Sequence, residues 1–145
     1  MKPSCRDCSR RSLLKGLGIA LLGTACGNPT PPSGTASMCG ANLCLDLTDP
    51  MNKDLTAAGG ALVVDGANDT IMVVRVSDTE VVALSAICTH AGCENLYTAS
   101  SMTLDCPCHG SQFSLAGAVL RGPARRTLKV YTAMLSGATI TITLD

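Results

Sequence analysis

The stretch Ala138-Thr139-Ile140-Thr141-Ile142-Thr143-Leu144 decides the fold class. Ile140, Ile142 and Leu144 fall on one side of an extended chain and the three threonines on the other, the period of two that marks a strand with one buried face. Further short apolar runs lie upstream, at Ala61 to Val64, Ile71 to Val76, Val81 to Ile87 and Thr127 to Leu135. Asp65-Gly66, Asp78-Thr79 and Ser136-Gly137 supply reversals between them, since Gly and Asp adopt the backbone angles that tight turns need. No window of about a dozen residues carries a helical stripe. The expected fold is all-β, a small antiparallel β-sandwich or barrel of about 100 residues, large enough to bury a core but with little surplus stability. With no Trp, one Phe and two Tyr, that core must come mainly from Val, Ile, Leu and Ala.

The chain has 145 residues, room for one modest domain and a short leader. Its formal net charge of zero hides an asymmetry: residues 1–26 carry five Lys/Arg against one Asp, and the remainder carries six Lys/Arg against ten Asp/Glu. That acidic balance argues against a nucleic-acid partner, which would need a basic face to displace counterions from the phosphate backbone. No stretch reaches the roughly 20 apolar residues of a spanning helix.

Residues 1–26 read as an address. Arg10 and Arg11 stand in S-R-R-S-L-L-K, followed by an apolar run from Gly16 to Ala25, a pattern similar to a twin-arginine export signal. That pathway carries folded proteins, often with a cofactor already inserted. The run ends at Gly23-Thr24-Ala25-Cys26, which fits lipidation of Cys26 and also fits a plain small-x-small cleavage site. Residues 27–44, with Pro29, Pro31 and Pro32 in their first part, read as a Pro/Gly/Ser-rich tether. The folded domain is expected over 45–145. Cys5 and Cys8 fall within the leader and receive no function. Cys39 and Cys44 form either a small disulfide after export or a pair of free buried thiols.

Two loops stand between the strands: C-T-H-A-G-C at Cys88 to Cys93, and C-P-C-H-G-S at Cys106 to Ser111. The chain has only two histidines, and His90 and His109 both lie here, each at ligand spacing from a cysteine. The glycines and the proline suit tight turns around a metal. A structural zinc site on Cys88, His90, Cys106 and His109, serving a binding module, uses the same donors. It would leave Cys93, Cys108 and Ser111 without a shared purpose.

With those motifs, C-x-H-x-G-C and C-P-C-H-G-S, the chain resembles the Rieske iron–sulfur family over its C-terminal two-thirds. The resemblance implies one 2Fe-2S cluster, with Cys88 and Cys106 on one iron and His90 and His109 on the other. It also implies a Cys93–Cys108 disulfide tying the loops together, as in the quinol-oxidising and arsenite-oxidase branches. Ser111 would donate to a bridging sulfide, and Gly122-Pro123-Ala124 resembles the loop that covers the cluster. Phe113 stands where the high-potential branch has Tyr, and Ala91 where a bulky Leu is common. A lower potential than in strict quinol oxidisers is expected.

The ligand set has its own electrostatics. Two ferric irons, two sulfides and two thiolates sum to zero with neutral imidazoles, so one electron reaches only about −1, against about −3 for four thiolates. The electron is accepted at higher potential and should settle on the imidazole-bound iron. Oxidised iron acidifies the outer ring nitrogens, coupling electron uptake to proton uptake. The expected function is an exported, membrane-tethered one-electron carrier on the periplasmic side. Its partners would be redox proteins, either a cytochrome-containing quinol-oxidising complex or a molybdenum subunit, with quinol as a further candidate. Phe113, Ala91 and the lack of a long apolar anchor favour a molybdenum-oxidase subunit or a free-standing carrier.

Overall fold

The structure, a computed structural model, describes residues 30–144. The export leader, Cys26 and the first residues of the tether lie outside the described residues. Twelve strands form three four-stranded antiparallel sheets. The first contains β1 (Ser37–Cys39), β2 (Asn42–Asp46), β12 (Thr139–Thr143) and β11 (Ala133–Ser136) in that spatial order. The second runs β10 (Val130–Tyr131), β5 (Val81–Ser85), β4 (Thr70–Arg75), β3 (Ala61–Asp65). The third, β6 (Leu96–Thr98), β7 (Thr103–Asp105), β8 (Gln112–Ser114) and β9 (Val119–Arg121), runs in sequence order.

The alternation of β12 does what its period requires. Ile140 pairs with Leu45 and Ile142 with Leu43, and all four side chains are buried. They pack on Leu62, Val64, Ile71, Val73 and Ala83 of the second sheet. The opposite face of that sheet, Val63, Met72, Val74 and Leu84, packs on Leu104 and Phe113 of the third. The middle sheet therefore has two cores. This is why Ile71-Met72-Val73-Val74 is an unbroken apolar run: a strand covered on both sides has no polar face.

Two expectations change. The folded body begins well before Leu45. Leu43 is drawn into the core by Ile142, and β1 and β2 form a hairpin closed by a Cys39–Cys44 disulfide with Cα atoms 5.9 Å apart. Even the proline segment is bound, since Gly34 N–H donates to Val63 O (2.8 Å) and Val63 N–H to Pro32 O (2.8 Å), a parallel bridge centred on Ser33 and Val63. Pro32 lacks only a donor, so it can serve as an acceptor on an outer strand. Buried Asn52 clamps the same segment, accepting from Thr35 N–H and donating to the carbonyls of Thr35 and Asp46. Second, the Thr127–Leu135 run is two strands, because the chain leaves β5 after Tyr131 and joins β12 at Ala133. The helix Pro50–Thr56, a 3₁₀ segment of seven residues capped by the Asp49 carboxylate on Met51 N–H, is too short to carry a helical stripe and leaves the all-β reading intact.

Candidate metal centre

The two motif loops share one backbone design. In the first, Cys88 N–H donates to Cys93 O (2.8 Å) and Gly92 N–H to Cys88 O (3.0 Å). In the second, Cys106 N–H donates to Ser111 O (2.8 Å) and Gly110 N–H to Cys106 O (3.0 Å). The fifth residue of each six-residue loop has positive φ, 74° at Gly92 and 77° at Gly110, a conformation that glycine adopts without a Cβ penalty. Cys93 and Cys108 join the loops by a disulfide, S–S 2.06 Å and Cα–Cα 6.5 Å.

This frame sorts the donors by depth. Cys88 and Cys106 are unpaired thiols, each only 2% exposed, while His90 and His109 are exposed. The imidazoles meet edge to face, with ring centroids 4.8 Å apart. Burial pushes the Cys106 thiol up, helped by the neighbouring Cys88 thiol, against backbone N–H donors of Cys108 and His109 that favour its thiolate. Two thiolates side by side in an apolar core need a cation between them. The sulfurs of Cys93, Cys106 and Cys108 lie within 4.8 Å of one another, but Cys93 and Cys108 are committed to the disulfide, so Cys106 alone of these three remains available as a ligand.

A third segment closes over the loops. The Gly122-Pro123 peptide is cis, and Ala124 N–H donates to Ser111 Oγ at 3.0 Å. Ser111 is fully buried. Its oxygen is taken by Ala124, which leaves the hydroxyl hydrogen to donate. Thr89 Oγ1 donates to Arg126 O at 2.7 Å, tying the same segment to the first loop. Gly122 and Pro123 are exposed at its tip, as is Ala91 on the first loop. Phe113 is fully buried in the core that contains Cys88 and Cys106. A cleft of about 780 Å³ opens beside His90, lined also by Asp65, Asp69, Ser85, Thr89 and Arg126. Arg126 carries no motif signal, and although Thr89 falls in the first motif and Ala124 in the Gly122-Pro123-Ala124 stretch, their contacts are not readable there. Their contacts join residues 13 to 37 positions apart, and only the fold brings them together.

The model of a Rieske [2Fe-2S] domain matches residues 49–132. The chain belongs to the Rieske family. Its relatives include the iron-sulfur subunit of the cytochrome b6-f complex from Synechococcus sp. (strain JA-3-3Ab), 46% identical over 54 residues, which are 37% of this chain and 31% of that protein. A cytochrome b6-f iron-sulfur subunit 2 from Synechocystis sp. is 39% identical over 87 residues, 58% of this chain and 46% of that protein. The chain thus spans about a third to a half of the length of these relatives. Among solved structures, a plasma membrane Rieske protein from Synechocystis superposes with TM-score 0.56 at 29% identity, covering 68% of this chain and 95% of that one. The ferredoxin of carbazole 1,9a-dioxygenase from Nocardioides aromaticivorans gives 0.55 at 28% identity, covering 61% and 88%.

A Rieske domain binds one 2Fe-2S cluster, and the two buried thiols and two exposed imidazoles at this end of the molecule fit it in kind and number. The zinc alternative is not favoured, since family membership accounts for the donors.

Proposed function

We propose that this protein is an exported one-electron carrier of the Rieske type. Cys88 and Cys106 hold one iron and His90 and His109 hold the other. When bound, the 2Fe-2S group takes up and returns a single electron. The chain's own residues set how readily it does so. The Cys108 and His109 amides donate to the Cys106 sulfur, Ser111 offers a further O–H, and the Cys93–Cys108 bridge fixes the spacing of the loops. Burial of the thiols keeps water from the sulfur side.

The observation that carries this reading is the sorting of donors, thiols buried and imidazoles exposed, within one disulfide-tied frame. An exposed imidazole can release its outer proton to solvent or to a docked partner. Two disulfides suit an oxidising compartment, which supports export through the Arg10-Arg11 leader, with Cys26 as the membrane attachment. The names of the relatives support a second reading, the iron–sulfur subunit of a quinol-oxidising complex, with His109 meeting the quinol. Phe113 supports plain electron relay, in a molybdenum-oxidase type of complex or as a free carrier.

Anaerobically purified protein is expected to contain iron and acid-labile sulfide, to be coloured, and to give an electron-spin signal on reduction. Colourless protein containing zinc alone overturns the proposal. His109→Cys is expected to convert the spectrum to a lower-potential type or to lose the iron. A midpoint that falls with rising pH favours quinol chemistry, whereas a flat profile leaves relay.

A further inference from the structure

We infer that the covering segment carries the docking site for an acidic redox protein, an inference that rests on the electron-carrier reading above and names its partner's chemistry. Residues 30–144 hold six Lys/Arg and nine Asp/Glu. Four of the six cations, Arg121, Arg125, Arg126 and Lys129, fall within nine residues. No carboxylate occurs anywhere from Cys106 to Leu144. An acidic body therefore carries one basic flank, and the fold sets that flank beside the imidazoles. Arg121 ends β9, and Arg125 and Arg126 follow the Pro123 turn that Ser111 and Thr89 bind to the two loops.

Arg121, Arg125 and Arg126 are exposed, as are His90 and His109. Among the described residues neither Arg121 nor Arg125 is in an ion pair. Arg126 also reaches Thr89 O at 3.5 Å. Lys129 stands further back, with its ammonium 4.5 Å from the centre of the Tyr131 ring. The opposing carboxylates near this end are Glu94, next to Cys93, Asp65 and Asp69 across the cleft beside His90, and Asp105, next to Cys106 and two strands from Arg121, which accepts from Thr98 and Thr103. The cationic flank is thus the side of Pro123, and a partner with an acidic face would seat there with its redox centre toward the histidines. Like charges elsewhere on the body would repel misoriented approaches.

The test sets the arginine flank against the acidic body as a whole. Reduced full-length protein would give one electron to the ferric haem of cytochrome c, offered either native and cationic or succinylated and anionic. The acidic body after residue 26, taken as a whole, demands faster reaction with the native form and, for the succinylated form, a rate that rises with salt. Docking on the arginine flank demands the reverse for the succinylated form: its rate falls about tenfold as salt goes from about 0.01 M to about 1 M and the screening length shrinks from about 30 Å to about 3 Å. Arg121→Glu with Arg125→Glu should abolish that fall while leaving the visible and electron-spin spectra unchanged. Arg126 is spared because it touches Thr89.

A second readout needs no electron transfer. Redox-inert hexacyanocobaltate(III) should shift the Nε–H NMR signals of Arg121 and Arg125, and the double variant should not bind it. A succinylated-cytochrome rate that rises with salt, or the same salt dependence in the double variant, overturns the docking site. Protein without iron overturns the carrier reading instead, and the anion titration still reports on the arginines.

Discussion

Ser111 has no exposed surface, and its oxygen already receives the Ala124 N–H. On the proposed reading, the hydrogen left over would stabilise whichever state of the centre carries more negative charge. A hydrogen bond to a charged group contributes about 1.5–3 kcal/mol, and one electron converts 1.36 kcal/mol to about 59 mV. Ser111→Ala is therefore expected to lower the midpoint by roughly 60–130 mV in a redox titration, and an unchanged midpoint would remove Ser111 from the account. Phe113→Tyr should move it upward, because the new hydroxyl sits in the core shared with the ligand thiols. Both positions were legible from the second motif. Gly122-Pro123-Ala124 was readable as a covering loop, but not that the Ala124 N–H would fix the direction of the Ser111 hydroxyl, because nothing in the local sequence marks a backbone N–H as the acceptor's companion.

Tyr131 offers a second test at this scale. Burial, reinforced by donation to Asp69 at 2.8 Å and by that carboxylate's charge, pushes its phenol up from 10.0 to about 12. The fold favours the neutral phenol. Its contribution is complete below pH 10 and is lost as pH rises through about 12, at about 1.4 kcal/mol per unit. Denaturant midpoints measured across that window should fall for the wild type and fall less for Tyr131→Phe.

At the scale of elements, the two ligand loops are near-copies held in register by one disulfide. Closing 15 residues of chain between Cys93 and Cys108 restricts the unfolded ensemble by about 3 kcal/mol. Cys93→Ser with Cys108→Ser is expected to lower the melting temperature and to speed iron loss to a chelator. An unchanged rate of iron loss would show that the hydrogen-bonded turns alone hold the donors. The loops were readable because their chemistry is dense in rare residue types. The third sheet was not. Its strands have three residues each, and Leu104 and Phe113 are isolated apolar residues whose burial comes from a neighbouring sheet. β2 was hidden for a different reason: Leu43 and Leu45 alternate correctly, but they follow a proline segment whose composition suggested an unpacked chain. That segment finds its hydrogen bonds on the edge of β3, a partner 30 residues away in sequence.

For the whole molecule, the middle sheet is the shared wall of two cores. Successive side chains of β4 serve opposite sides, Ile71 toward the first sheet and Met72 toward the core of Cys88 and Cys106. Ile71→Ala and Met72→Ala are each expected to cost about 2–5 kcal/mol. Met72→Ala alone should also alter the electron-spin spectrum, because only that side lines the thiols. Equal spectral effects would refute the division. The long apolar runs made the middle sheet visible in the sequence, and burial on both faces explains why they do not alternate. The order in which sheets stack has no such signature, since it depends on which faces meet.

The union of residues 32–34 with β3 has a mechanical consequence. The added segment lies parallel to β3, and the Cys39–Cys44 staple follows immediately behind it. A tug from the membrane side would load those backbone bonds lengthwise and together, as in a lap joint, instead of unzipping them one by one. An anchored protein jostled by its surroundings would keep its leading edge seated, and the electron-bearing end would move with the body as one rigid piece.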